Sequence, residues 1–470
     1  MLTYSMEERG GLPLYEYLYR CIRGDILSGT LAAGERLPSK RRLAEHLQLS
    51  VITVEGAYQQ LEAEGYVYTQ PKRGFFVAPV ERLAAPPAPE PLPPQPEKRV
   101  WRLDLKSNQV DVTCFPVSTW ARLTRQVLSE GGEALLRPVP HQGLEALRQA
   151  IADDLRDYKG MAVSPEQIVV GAGAEYLYLL LAQLLGPEAV FAVEDPGYPK
   201  IRQVYGKCGA VCRPVPLDHR GMDIAALTAS GASVAHLSPS HHYPTGLVTP
   251  IGRRQELLRW AAEQPERYIL EDDYDSEFRF VGRPIPSLYS TDENERVVYL
   301  NTFSKTIAPS IRISYMILPP KLLERYREKL GFYACTVSGF EQYTLAKFLE
   351  QGYFERHLGR MRNRYRQKRD QVMAAFLQGP LAGRVKITGQ DAGLHFLAEL
   401  QTRLPDDVLQ RRAAEKGLRL AMLSDYYHER EGARRHTLVV NYSGLDLQRL
   451  PQALEYLADI IKEGPSCTTN

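Results

Sequence analysis

The chain has 470 residues, more than one ordinary core organises, so about three units of roughly 150 residues each are expected. Hydrophobic side chains make up 44% and charged ones 24%, which excludes a disordered chain. With 58 basic against 56 acidic side chains the net charge is +2, so no bulk pull toward nucleic acid or a membrane follows.

Glu7 and Glu8 stand where a secretory signal needs a basic start and an apolar run. The best apolar stretch, Tyr176 to Leu185, is too short to span a bilayer and contains Gln183. The six cysteines are scattered, and Cys208 and Cys212 lack a second pair, so no metal site is expected. A reduced, cytoplasmic protein with no membrane partner is the expectation.

Leu14, Leu18, Cys21, Ile22 and Ile26 recur at helical spacing until Gly29. Ser39 can cap a second helix with Leu43, Ala44 and Leu47 inward. After a turn through Leu49 and Ser50, a third helix carries Val51, Val54, Tyr58 and Leu61 on one face and stops at Gly65. Tyr66–Thr69 and Phe75–Val77 alternate as two short strands around Pro71-Lys72-Arg73-Gly74. Three helices and a hairpin are the order of a winged helix-turn-helix. Residues 1–80 hold nine basic and nine acidic side chains. Even so, Arg36, Lys40, Arg41 and Arg42 cluster at the second helix, and Lys72 and Arg73 at the hairpin tip, where phosphates meet helix N-termini and a wing.

Leu31 to Tyr66 reads L-x-x-G-x-x-L-P-S-x-R-x-L-A-x-x-L-x-x-S-x-x-T-V-x-x-A-Y-x-x-L-x-x-E-G-Y. This resembles the GntR-type winged helix of bacterial regulators. The resemblance implies a double-stranded DNA operator as partner, with Lys40, Arg41, Arg42, Ser50, Thr53, Arg73 and Gly74 as its contacts. The family's arginine after the serine is Val51 here.

Residues 84–97 contain seven prolines in fourteen, a composition that can continue neither a helix nor a ladder. Segment 81–100 is expected to be a semi-rigid spacer, whose proline-rich residues 84–97 span roughly 40 Å if extended at about 3.1 Å per residue. It divides a unit at 1–80 from one at 101–470, and the last residues from Gly464 read as a frayed tail.

In the large unit short apolar runs alternate with helical stretches: Ile168–Val170, Val190–Val193, Val211–Val215, Val234–Leu237, Tyr268–Leu270, Val297–Leu300 and Ile313–Leu318. They predict a mostly parallel, seven-stranded α/β sheet covered on both faces, with ligands at the carboxyl ends of the strands. Gly171-Ala172-Gly173-Ala174-Glu175 follows one run and opens a helix whose N–H groups could hold a phosphate. Tyr198 follows the next run, and Glu271-Asp272-Asp273-Tyr274-Asp275 ends another. Asn301-Thr302-Phe303-Ser304-Lys305 ends a third, with Pro309 and Arg312 beyond it. A lysine amine can form a Schiff base with an aldehyde cofactor. An aspartate 33 residues earlier can keep a pyridine nitrogen protonated.

The ordered set resembles a fold-type I aminotransferase domain over about 370 residues. It implies pyridoxal 5′-phosphate (PLP) bound through Lys305, with Asp272 on the pyridine nitrogen, Tyr274 on the ring oxygen and Tyr198 stacked on the ring. Ala174, Glu175, Thr302 and Arg312 would hold the phosphate. Joined to the winged helix, the whole resembles the MocR/GabR subfamily of GntR regulators. That implies a homodimer with swapped winged helices, sensing PLP itself or a small amino compound.

Three positions depart from working aminotransferases. Tyr243, expected among the cofactor contacts, replaces the asparagine before Pro-Thr-Gly that touches the ring oxygen, Val439 replaces the arginine that grips a substrate carboxylate, and Arg137-Pro138-Val139 lacks the tyrosine that reaches a neighbouring subunit's phosphate. Lys200, Arg202, Arg434 and Arg435 are the candidate substitute cations. A regulator is therefore expected. The alternatives are a functional aminotransferase with an accessory DNA-binding domain, or a domain that has lost PLP and serves dimerisation alone.

Overall fold

The computed structural model describes residues 2–80, 100–107, 109–282 and 285–462. The proline-rich spacer, apart from Val100, and the tail from Gly464 lie outside the described residues. The chain divides into two compact units, Met1–Glu97 and Lys98–Asn470.

In the first unit α1 (Leu14–Ser28), α2 (Lys40–Leu47) and α3 (Val51–Ala63) precede the hairpin β1 (Val67–Gln70) and β2 (Gly74–Val77). Ser39 Oγ accepts the Arg42 N–H at 3.3 Å, and Ser50 Oγ accepts the Thr53 N–H at 3.1 Å. Each serine thereby satisfies an orphan donor of a first helical turn. Leu18, Ile22, Leu43, Val54, Tyr58 and Leu61 form the core. One expectation is corrected: Val51 is exposed, and Ala57 takes the inward place beside Val54 and Tyr58. Val51 is the first residue of α3, one turn ahead of the buried stretch that begins at Val54.

In the second unit all seven expected strands form, and the count is corrected to eight. The strands are β3 (Ile168–Gly171), β4 (Val190–Asp195), β5 (Val211–Asp218), β6 (Gly221–Met222), β7 (Val234–Leu237), β8 (Tyr268–Asp272), β9 (Val297–Thr302) and β10 (Ser314–Ile317). The extra strand, β6, is two residues that fold back antiparallel on β5, too short for a periodicity to show. Their order is β3-β10-β9-β8-β7-β4-β5-β6. Strands β9, β8, β7, β4 and β5 pair in parallel, and β10 is antiparallel to both β9 and β3.

The central strands are continuous apolar runs because both faces are covered. Helix α4 (Ala174–Leu185) packs Leu177, Leu181 and Leu184 on one face against Val169, Leu300 and Met316. On the other face Leu147, Ile151, Leu345 and Phe348 meet Ile168, Val170 and Tyr299. A separate three-stranded sheet, Val385–Thr388, His395–Leu400 and Thr437–Asn441, packs with helices Tyr353–Gln378 and Leu450–Lys462. No helix among the described residues is long and apolar enough to cross a membrane.

Candidate cofactor site and nucleic-acid face

The carboxyl ends of β4, β7, β8 and β9 open onto one cavity of about 270 Å³. The parallel register sets Leu300 of β9 beside Asp272 of β8, so Asp272 ends its strand next to the segment that leads to Lys305. Every cofactor residue expected from the sequence lines this cavity: Ala174, Glu175, Tyr198, Tyr243, Asp272, Tyr274, Thr302, Lys305 and Arg312.

Asp272 is buried, where an unpartnered carboxylate is costly. The Tyr178 hydroxyl donates to its Oδ2 at 2.5 Å, and His236 Nε2 lies 3.5 Å from the same oxygen. Tyr205 backs His236 with 2.8 Å between its hydroxyl and Nδ1. These three supports were not legible in the sequence. Tyr178 sits inside an apolar helical run and His236 inside an apolar strand, where both look like core.

The Tyr274 hydroxyl lies 3.2 Å from His241 Nδ1, which in turn lies 3.0 and 3.1 Å from the two oxygens of Asp275. A Cβ on Gly393 would strike the His241 ring, so that glycine is what lets the imidazole in. His241, Asp275 and His395 bring ligand atoms within 4.8 Å of one another. The His241–Asp275 contact is already a hydrogen-bonded pair.

Lys305 follows the Thr302 cap of a one-turn helix, Phe303–Thr306. Burial lowers its amine from 10.5 to about 8, with the Lys200 charge acting in the same direction and Asp275 opposing. The residue is half-buried and lines the cavity, yet enough protein surrounds the amine for desolvation to prevail.

At the phosphate end α4 begins at Ala174, where first-turn N–H groups have no intrahelical acceptor. Gly173 has φ 95°, and a Cβ there would collide with the Arg312 guanidinium. A glycine is thus required twice over, for conformation and for approach. Arg312 donates to Ala172 O at 3.3 Å and stands 3.6 Å from Glu175. Lys200 pairs with Glu175 at 2.6 Å and holds that carboxyl below its usual range. An ionised Glu175 side chain repels a phosphate, so its backbone N–H is the group that can serve. Thr302 Oγ1 accepts from the Ser304 N–H at 3.1 Å and from Ser314 Oγ at 2.7 Å, leaving its own proton to donate. Ser304 also lines the cavity.

The departures have structural counterparts. The Tyr243 hydroxyl is 2.9 Å from that of Tyr426, and its ring meets Tyr198 edge-on at 5.9 Å. Tyr243 and Tyr426 also belong to a buried apolar cluster with Leu397, Ala421, Leu423 and Val439, so position 439 itself offers a carboxylate no charge. Of the substitutes, Arg434 is paired with Glu399 at 2.7 Å. Arg202 does line the cavity, and its Nη1 is buried without a hydrogen-bond partner.

In the first unit Arg41, Arg42 and Arg73 are exposed. Lys40 pairs with Glu55 at 2.6 Å and covers Phe75 at 5.3 Å, while Arg73 lies over Phe76 at 5.7 Å. The start of α2, the second turn of α3 and the wing are therefore neighbours. Gly74 has φ 107° at the end of the hairpin turn. The Ser50 and Thr53 hydroxyls are engaged with each other at 2.8 Å.

A Lys–Asp–Tyr cavity on an α/β sheet, carried by a chain that begins with a winged helix, defines a class: an aminotransferase-like fold coupled to a DNA-binding module. Residues 102–426 match the family of aminotransferases of class I and II, and residues 14–77 match the gntR family of bacterial regulatory proteins. The chain is 36% identical to the uncharacterized HTH-type transcriptional regulator YdeL of Bacillus subtilis, across 95% of this chain and 96% of that protein. It is 32% identical to the probable rhizopine catabolism regulatory protein MocR of Rhizobium meliloti, across 96% of this chain and 94% of that protein. A kynurenine aminotransferase of Pyrococcus horikoshii, solved in complex with PMP, superposes with a TM-score of 0.69 at 25% identity, covering 78% of this chain and 91% of that one. The chain belongs to the MocR/GabR subfamily of GntR-type regulators.

Proposed function

We propose that this protein is a PLP-binding transcriptional regulator whose DNA affinity responds to the occupant of the Lys305 cavity. The observation that carries the reading is the coexistence, in one chain, of a winged helix and a cavity lined by Lys305, Asp272, Tyr274 and Arg312. PLP supplies an aldehyde that condenses with the Lys305 amine and a pyridine ring that draws electrons when protonated. The cavity fits that group: Gly173, lacking a Cβ, lets the Arg312 guanidinium approach the phosphate end, and burial lowers the Lys305 amine to about 8. Asp272, backed by Tyr178, offers a buried carboxylate for the pyridinium. Tyr274, within hydrogen-bond reach of His241, would donate to the ring oxygen, and Tyr198 would stack on the ring. The N–H groups of Ala174 and Glu175, the Thr302 hydroxyl and Arg312 would hold the phosphate.

An amino-bearing effector that competes for this cavity is gripped at its anionic end by Arg202 rather than from position 439, where Val439 is sealed in apolar packing. Losing a charge-assisted hydrogen bond at that position costs about 1.5–3 kcal/mol, so turnover of ordinary α-amino acids is slow and the cavity acts as a sensor. The DNA-binding domain is 1–80, with Lys40, Arg41, Arg42, Ser50, Thr53, Arg73 and Gly74 around the operator, the linker is 81–100, and the effector domain is 101–470. The working form is a cytoplasmic homodimer with swapped winged helices, each reading one half-site.

The test uses the purified full chain loaded with PLP and its Lys305→Ala variant. Visible absorbance that is bleached by borohydride is expected in the parent and absent in the variant. An unchanged trapped adduct in the variant overturns the assignment of Lys305. Rapid multiple turnover with a common amino acid and a keto acid, without a specific DNA complex, would promote the enzyme reading.

A further inference from the structure

Helix α3 buries Val54, Ala57, Tyr58 and Leu61. At 100° per residue the opposite side is centred on Ile52. Ile52 is 80% exposed and its neighbour Val51 43% exposed, two branched apolar side chains together at one helix start. Polar groups nearby are already engaged. Ser50 and Thr53 bond to each other, Ser50 Oγ also caps the Thr53 N–H, and Glu55 is paired with Lys40. Exposed cations lie on the neighbouring elements: Arg41 and Arg42 at the start of α2, and Lys72 and Arg73 on the wing. Their charge complements a polyanion rather than an apolar protein surface.

Building on the DNA-binding reading above, we propose that Val51 and Ile52 read the operator by packing on thymine 5-methyl groups in the major groove. That methyl is the one apolar feature a base pair offers there. Against guanine, or the amino edge of cytosine, the same side chains strip water from polar atoms and return no hydrogen bond. Arg41, Arg42 and Arg73 neutralise phosphates and fix the docking without sequence preference. Specificity then rests on methyl placement, in a helix whose first residue, Val51, replaces the arginine expected there.

The experiment selects binding sites for the loaded, full-length protein from a random duplex library. Each thymine of the selected half-site is then replaced by deoxyuridine, which removes only the methyl. At the contacted positions binding weakens about fourfold per methyl, the worth of one buried methylene. The double variant Val51→Ala with Ile52→Ala, both exposed and so leaving the fold intact by circular dichroism, binds the thymine and deoxyuridine sites equally. Three results overturn the proposal: deoxyuridine tolerated by the parent at every position, a tight selected site made only of G·C pairs, or a double variant that dissociates into monomers with its DNA preference intact. Failure to select any sequence overturns the DNA-binding reading as well, and so is distinguishable from these.

Discussion

Loading of the cofactor-free protein with PLP should follow the protonation of Lys305, because only the neutral amine attacks an aldehyde. With its pKa at about 8 instead of 10.5, about a tenth of the amine is neutral at pH 7, roughly 300-fold more than for an ordinary lysine. Stopped-flow measurement of the visible absorbance across pH should give a rate that rises tenfold per unit and flattens near pH 8. Asp275 favours the charged amine, so Asp275→Asn should move the midpoint lower. The sign for stability follows from the same shift. Between about 8 and 10.5 the unfolded lysine holds a proton that the folded one has lost, so the cofactor-free protein gains stability as pH rises through that window. A rate that keeps climbing to pH 10 refutes the claim that burial governs this amine.

Gly173→Ala should weaken PLP binding about tenfold or more, read by equilibrium dialysis, because a side chain at φ 95° and ψ 161° is strained by roughly 1–3 kcal/mol and meets Arg312. Asp272→Asn should blue-shift or diminish the cofactor's visible band while leaving phosphate-driven retention, and Tyr178→Phe should do the same more weakly. An unaltered spectrum in Asp272→Asn would move the pyridine contact to another carboxylate. Arg202→Ala should reduce affinity for a carboxylate-bearing amine about tenfold or more, with PLP affinity unchanged, by calorimetry.

The sequence disclosed the large elements because their causes are local. The serine caps at Ser39 and Ser50, the left-handed Gly29, and the continuous apolar runs of β7, β8 and β9 each carry their signal within a few residues. All nine expected cofactor positions converge on one cavity, most of them because they sit at or just past a strand end or open a helix, while Tyr243 lies in the loop after β7 and Arg312 just before β10. What escaped is whatever depends on long-range packing. Tyr178, 94 residues from Asp272, and His236 are indistinguishable from core until the sheet brings them together. Val51 fits the helical period yet is exposed, since periodicity says which side a residue faces and not whether anything covers it. The occupied hydroxyls of Ser50 and Thr53 likewise appear only once the cap has formed.

In the proposed regulator the cavity and the winged helix are energetically coupled. A ligand shifts DNA affinity only by its differential affinity for the two states, typically about 5- to 150-fold in coupled systems. The direct measurement titrates a selected operator duplex with the full-length protein in three forms: cofactor-free, PLP-loaded, and Lys305→Ala in excess PLP. The expected result is a specific complex whose affinity or footprint differs between the first two forms, with Lys305→Ala resembling the cofactor-free protein. Identical operator affinity and footprint in all three forms would contradict it.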